Sequence, residues 1–229
     1  KKIESESLWN HLIGSFILYS RGREGDLAEA RKLLENVPNP RSDYPASFWI
    51  KQLGFEGDFD GIERLVNNLN VDAIELQISW EPKELILAMV YHQKGNFSQS
   101  KKYFQDARLI LEKKVQENPL DFRMHTALGV AYAGLGEEKN AIKSGMKSME
   151  LLPIEKDHLL GLDSNYGMMR IYALLGKEDE ALDMMSKLLS VPCQYRGFFF
   201  TKNPEFAKFQ DNIRFQDLLN KQRKLSEKV

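Results

Sequence analysis

The run from Leu120 to Pro153, LDFRMHTALGVAYAGLGEEKNAIKSGMKSMELLP, admits few folds. Apolar residues recur at helical spacing from Phe122 to Leu135, so this half predicts one amphipathic helix. Gly136 ends it, because a helix commonly terminates on a residue in the left-handed conformation that glycine adopts at no cost. Glu137 and Glu138 then open a second helix, whose N-terminal end favours negative charge, and Pro153 stops it. Gly129 and Ala141 lack bulk where two antiparallel helices would cross closely. Such a helical hairpin cannot bury its apolar face alone, so it predicts neighbours of the same kind.

The same turn recurs as Arg23-Glu-Gly25-Asp-Leu, Phe55-Glu-Gly57-Asp-Phe, Gln93-Lys-Gly95-Asn-Phe and Leu175-Gly176-Lys-Glu-Asp. The glycines are separated by 32, 38, 41 and 40 residues, each near the length of one helical hairpin. Five hairpins follow, at 7–37, 43–70, 82–117, 122–152 and 162–190. Leu8, Leu12, Phe16 and Tyr19 supply the apolar face of the first, and Val37-Pro-Asn-Pro40 breaks it. The second matches least well. After it, Val71 to Trp80 has the alternation of an edge strand, but helical surroundings favour a loop or short helix there. Asn118-Pro119 stops the long second helix of the third hairpin, and a six-residue insertion around Ile154 to Gly161 precedes the fifth. Beyond Pro192 the pattern changes to Gly197-Phe-Phe-Phe200, Asn203-Pro-Glu-Phe206, Phe209, Phe215, Leu218 and Leu219. A repeat array needs its last apolar face covered, so 198–222 is expected to be a cap. The expected class is all-α, an α-α superhelix of about five hairpins with a C-terminal capping helix.

Composition narrows the function. With 32 basic against 33 acidic residues and a net charge of -1, the chain has no field to draw it to nucleic acid or an anionic membrane. The best apolar run, Leu12 to Tyr19, falls far short of the about 18 residues of a membrane span, so no membrane insertion is expected. One cysteine, Cys193, excludes an internal disulfide and a multi-cysteine metal site. No signal-peptide pattern is present and the first residue is Lys1. A piece of a longer cytoplasmic protein is therefore expected.

The run from Tyr91 to Leu219 resembles the C-terminal tetratricopeptide arrays of bacterial multidomain signalling proteins, which follow kinase, adenylate-cyclase, winged-helix or TolB-like domains. The matching words are Asn118-Pro-Leu-Asp121, Ala127-Leu-Gly-Val-Ala-Tyr-Ala-Gly-Leu-Gly136, Leu152-Pro153, Ile171-Tyr-Ala-Leu-Leu-Gly176 and Ala181-Leu182. Most specific is the ending Asn203-Pro-Glu-Phe206 followed by Asp211-Asn-Ile-Arg-Phe215-Gln-Asp-Leu-Leu219. The likeness is generic over the first 80 residues. It implies an interaction or sensing module beside an effector, with no catalysis and no cofactor of its own. Gly145 stands where the family has a bulky residue and Ser100 where it has alanine, so both are expected to loosen the packing locally.

The remaining candidates for chemistry are weak. His11, His92, His125 and His158 fall on different hairpins or linkers, without ligand spacing on one helix face. Cys193 lacks an assigned partner and reads as a packed thiol. Glu155, Asp157 and Asp163 lack the ligand alternation and sixth-position glycine of a calcium loop, so a solvated linker capping the next helix is expected. Asn96-Phe-Ser98 fits a glycosylation sequon but reads as a helix start. Lys139, Lys143 and Lys147 form a stripe balanced by Glu137, Glu138 and Glu150, the pattern of a solvated outer face.

The resemblance assigns the inner wall to the first helix of each hairpin. This gives Pro82, Leu85, Met89 and His92; Arg123, Thr126, Val130 and Ala133; and Asp163, Tyr166, Arg170 and Ala173. Met89, His92, Arg123, Thr126, Val130, Tyr166 and Arg170 are the candidate binding residues. Arg123 and Arg170 would anchor a carboxylate or a peptide terminus. Their joint reversal to Glu is expected to abolish capture without loss of helicity. The expected partner is a protein or peptide, whether another domain of the same chain, a second copy in a homodimer, or a separate protein. The alternative is a small-molecule sensor in which the inner wall closes over a ligand and changes the state of an attached effector.

Overall fold

The computed structural model describes residues 2–37, 42–157, 160–191 and 195–226, with side chains from residue 8 to residue 224. His158 and Cys193 lie outside the described residues. Ten helices form five hairpins: α1 (Lys2–Arg21) with α2 (Asp26–Glu35), α3 (Asp43–Glu56) with α4 (Phe59–Asn67), α5 (Lys83–Gln93) with α6 (Phe97–Glu117), α7 (Phe122–Gly134) with α8 (Glu138–Leu151), and α9 (Gly161–Leu174) with α10 (Glu178–Leu189). A C-terminal unit follows, made of α11 (Gly197–Lys202), a 3-10 helix (Pro204–Phe209) and α12 (Ile213–Ser226). The architecture is an all-α array of the tetratricopeptide type.

Four of the inter-helix turns are built alike. In each, a glycine with φ between 73° and 75° follows the first helix: Gly57, Gly95, Gly136 and Gly176. The next residue donates its N–H back five residues, from Asp58 to Leu53 O, Asn96 to Tyr91 O, Glu137 to Tyr132 O and Lys177 to Tyr172 O, all at 2.9 Å. This is the Schellman arrangement, and it satisfies carbonyls the helix end would otherwise orphan. Asp58 and Asn96 then accept the N–H of Gly61 and Gln99 and so cap α4 and α6.

Two residues expected to loosen the packing do the opposite. Gly145 is buried, and a β-carbon there would meet Met168 Sδ at 2.5 Å and Ile171 Cδ1 at 2.7 Å. Its missing side chain is the space that α9 fills against α7 and α8. Ser100 is 2% exposed and its hydroxyl donates to Ala88 O at 2.9 Å, tying α6 to α5.

The segment 71–82 corrects the expectation of a loop or short helix. Strands β1 (Ala73–Glu75) and β2 (Trp80–Pro82) pair antiparallel, with Ile74 opposite Glu81. Leu76 N–H donates to Ser79 O at 2.8 Å and closes the hairpin. Ile74 and Trp80 are buried, Ile74 against α3, α4 and α5 and Trp80 against α5 and α7. The alternation therefore reported a strand, and neighbouring helices cover its apolar face rather than convert it.

The C-terminal unit does more than cover the last hairpin. Phe206, Phe209 and Phe215 pack on α9 and α10, as a cap requires. Phe198 and Phe199 instead reach the other end of the chain. Phe55 of α3 meets Phe198 at 5.8 Å and Phe199 at 5.9 Å between ring centroids, both edge to face. A β-carbon on Gly22, just after α1, would fall on Phe198. The array thus closes on itself: its last unit seats against its first two hairpins, and the concave side becomes a partly enclosed space.

Gly129 marks the tightest crossing of α7 and α8. A β-carbon there would lie 2.5 Å from Ile171 Cδ1 and 3.2 Å from the backbone at Ala141 O and Gly145 N. Gly129→Val is expected to lower unfolding free energy by about 1–3 kcal/mol in urea titrations, since backbone atoms cannot move aside.

Candidate binding cavity

Closure leaves a cavity of about 440 Å³ on the inner wall, within the range of small-ligand pockets. Its floor is made by α5, α7 and α9, its sides by the β-hairpin and α3, and its lid by α1, Phe199 and Asn203 to Glu205. On the inner wall α7 contributes Arg123 to Ala127 and α9 Asp163 to Arg170, while α5 lines the cavity from Leu85 to Gln93. The 3-10 helix lies against α9, where its Lys208 ammonium donates to Ala173 O.

The candidate residues divide accordingly. Met89, Arg123, Thr126, Tyr166 and Arg170 line the cavity, with Leu85 and Asp163 beside them. His92 and Val130 do not. Val130 is fully buried within the cluster joining α5 to α9, out of reach of a ligand. The His92 ring packs edge to face on Phe97 at 5.5 Å. Burial and the neighbouring Lys208 push its imidazole pKa down, against the opposing pull of Glu205. Pro82, Ala133 and Ala173 are buried away from the cavity as well.

Both arginines reach the cavity wall already engaged. Arg170, with its side chain 11% exposed, donates from Nη1 to Glu81 at 2.7 Å and from Nε to Glu205 at 2.7 Å. Burial opposes its charge, but Glu205 and Glu81 outweigh that cost and hold its guanidinium well above the usual range. Arg123 forks onto Asp121, lies 3.3 Å from Glu75 and donates to Leu76 O at 2.7 Å, fastening the β-hairpin to α7. These arginines are ties between elements. The expectation that both could be reversed without structural loss is corrected by these pairs.

Tyr166 sits over the floor, stacked on Tyr195 at 4.5 Å and edge to face with Phe199 at 5.4 Å. Its hydroxyl accepts from Asn203 Nδ2 at 3.1 Å, and burial pushes its pKa well up, so it stays a neutral hydrogen-bonding group. Asp163 is 5% exposed and accepts the Tyr195 hydroxyl, which corrects its reading as part of a solvated linker. Asp157 accepts the Leu160 N–H at 2.8 Å, one residue before α9 begins.

Sequence reasoning missed the walls contributed by other elements: Phe16 and Tyr19 of α1, Ser47 and Lys51 of α3, and Leu76 to Glu81 of the β-hairpin. They follow from ring closure, which no single repeat encodes. Among the described residues no group of three or more His, Cys, Asp or Glu side chains could hold a metal ion. No described helix is long and apolar enough to cross a membrane.

The family described as tetratricopeptide repeat matches residues 85–107, spanning most of α5 and the first half of α6. Among solved structures, the chain titled "MamA MSR-1 C2" is similar with a TM-score of 0.35 and 16% identity, covering 79% of this chain and 94% of that one. No curated protein matches the sequence.

Arg170→Glu should destabilise the chain by about 3–5 kcal/mol in urea unfolding, because it sets three carboxylates together in a largely buried site. A stable, fully helical variant would contradict the role of Arg170 as a tie.

Proposed function

We propose that the chain is a non-catalytic recognition module that holds its ligand inside the ring. The observation carrying this reading is the closure itself: α11 against α1 and α3 turns an open concave groove into a cavity of small-ligand size. Helical-hairpin arrays ordinarily recognise partners on their concave side. Here a peptide running the length of that side would have to displace Asn203 to Glu205 and the Phe199 ring. A compact guest meets no such obstacle, which favours sensing over peptide capture. Residence beside an effector domain in a bacterial regulatory protein, and a cytoplasmic setting, rest on the resemblance of the 91–219 run. In that setting a guest that bridges α3 and α9 would bias the closed ring, and an attached domain would read the change.

The neutral apolar fluorophore N-phenyl-1-naphthylamine tests the reading. It should bind saturably with one site per chain, and Ser47→Trp, which fills the cavity from α3, should abolish binding at an unchanged melting temperature. Absence of saturable binding, or equal binding by the variant, would rule the cavity out as a site.

A second reading, protein contact, is favoured by the outer face of α1. Trp9, Ile13 and Ile17 recur at four-residue spacing there and are 44%, 52% and 56% exposed. Such a stripe suits self-association across a two-fold axis. Sedimentation should then show dimers that Ile13→Glu with Ile17→Glu returns to monomers. A wild-type chain that stays monomeric at about 100 μM would end this reading.

A further inference from the structure

The charged groups on the cavity wall are unequally provided for. Arg170 has Glu81 and Glu205, and Arg123 has Asp121 and Glu75. Lys51 of α3 has no hydrogen bond or ion pair among the described residues. Its ammonium nitrogen stands 5.8 Å from the centroid of the Phe16 ring, a contact that offsets part of a desolvation cost but leaves its three N–H donors without an acceptor among the described residues. Lys51 is half-buried, and it lines the cavity. Burial accordingly pulls its pKa down, with Asp163 the acidic group opposing that shift. Asp163 already accepts the Tyr195 hydroxyl.

An ammonium on a largely apolar cavity wall with no protein acceptor is free to take the anionic group of a ligand. Aromatic and aliphatic residues of the same cavity wall include Phe16, Tyr19, Phe48, Phe55 and Ile74. We propose that Lys51 is the anion-holding group of the cavity, and that the natural guest is a small apolar molecule carrying one carboxylate. Its apolar body would lie against the α1, α3 and β-hairpin side chains, and its carboxylate would take the Lys51 donors as a charge-assisted hydrogen bond. A dianion is disfavoured, because Asp163, Glu81 and Glu205 also face the cavity and would repel a second negative charge. This assignment rests on the proposed cavity function and adds the chemical class of the guest.

The test compares 1-naphthylacetate with its neutral isostere 1-naphthylacetamide as competitors of bound N-phenyl-1-naphthylamine. Wild-type chain should bind the acid at least about tenfold more tightly than the amide, the gain expected of one charge-assisted hydrogen bond in an enclosed site. Lys51→Met should erase that difference while keeping the amide affinity, and should melt no lower than wild type without ligand, since it removes an uncompensated charge. Lys51→Arg should retain most of the preference. Equal affinities for acid and amide in the wild-type chain would overturn the assignment while leaving the cavity intact as a site, and this comparison needs no variant to fold. A preference for the acid that survives in Lys51→Met would overturn it too, by placing the anion elsewhere. Failure of the neutral fluorophore to bind at all would remove both the site and its anion-holding group.

Discussion

The guanidinium of Arg170 is the point at which three separate parts of the chain are held to one geometry. It rises from the middle of α9, takes Glu81 from the β-hairpin on one side and Glu205 from the C-terminal unit on the other, and lies 5.9 Å from the Tyr166 ring centroid. Three ionised groups in a mostly buried place persist only as a set, because removing one leaves the others uncompensated. The position of the β-hairpin, the path of Asn203 to Glu205 over the inner wall and the orientation of Tyr166 are therefore linked choices. So is the cavity these elements border.

Helical hairpins were legible because each is encoded locally. Gly57, Gly95, Gly136 and Gly176 take the left-handed conformation that their turn sequences predict, and the small residues Gly129 and Ala141 sit where α7 and α8 cross. Inner-wall positions were legible where the repeat register alone decides them, as with Met89, Arg123, Thr126, Tyr166 and Arg170. The register could not tell that Val130 would pack inside the core cluster or that His92 would turn onto Phe97, which removed both from the wall. Nor could it tell that Gly145 and Ser100 serve a packing partner, since Ile171 and Ala88 lie on other helices. The strand at 73–75 was visible as alternation and was overruled by its surroundings. A two-stranded ribbon needs only one covered face, and α3 to α5 supply it.

The cavity combines two kinds of surface that seldom meet in an ordinary helical core. One half, from α1, α3 and the β-hairpin, sets Phe16, Tyr19, Phe48, Phe55 and Ile74 beside the ammonium of Lys51. The other, from α7, α9 and the C-terminal unit, holds paired charges and the Asn203–Tyr166 hydrogen bond. Orientation inside such a space follows from chemistry, because an amphipathic guest has one favourable way round. Buried polar groups on the charged half are fixed before any guest arrives, so little ordering remains to be done when one binds.

Closure of the array by Phe198 and Phe199 also changes how the chain must assemble. In an open array each hairpin touches only its neighbours, and folding spreads from any nucleus along one dimension. Here Phe198 and Phe199 meet Gly22 and Phe55, residues from the far end of the sequence. Bringing distant segments together carries a loop-closure entropy that grows only logarithmically with length, and rigid intervening hairpins fix much of the path beforehand. The aromatic latch therefore forms last, after the local hairpins, as the one highly non-local event in an otherwise local folding route. Opening it would part α11 from α1 and α3 without unfolding any hairpin.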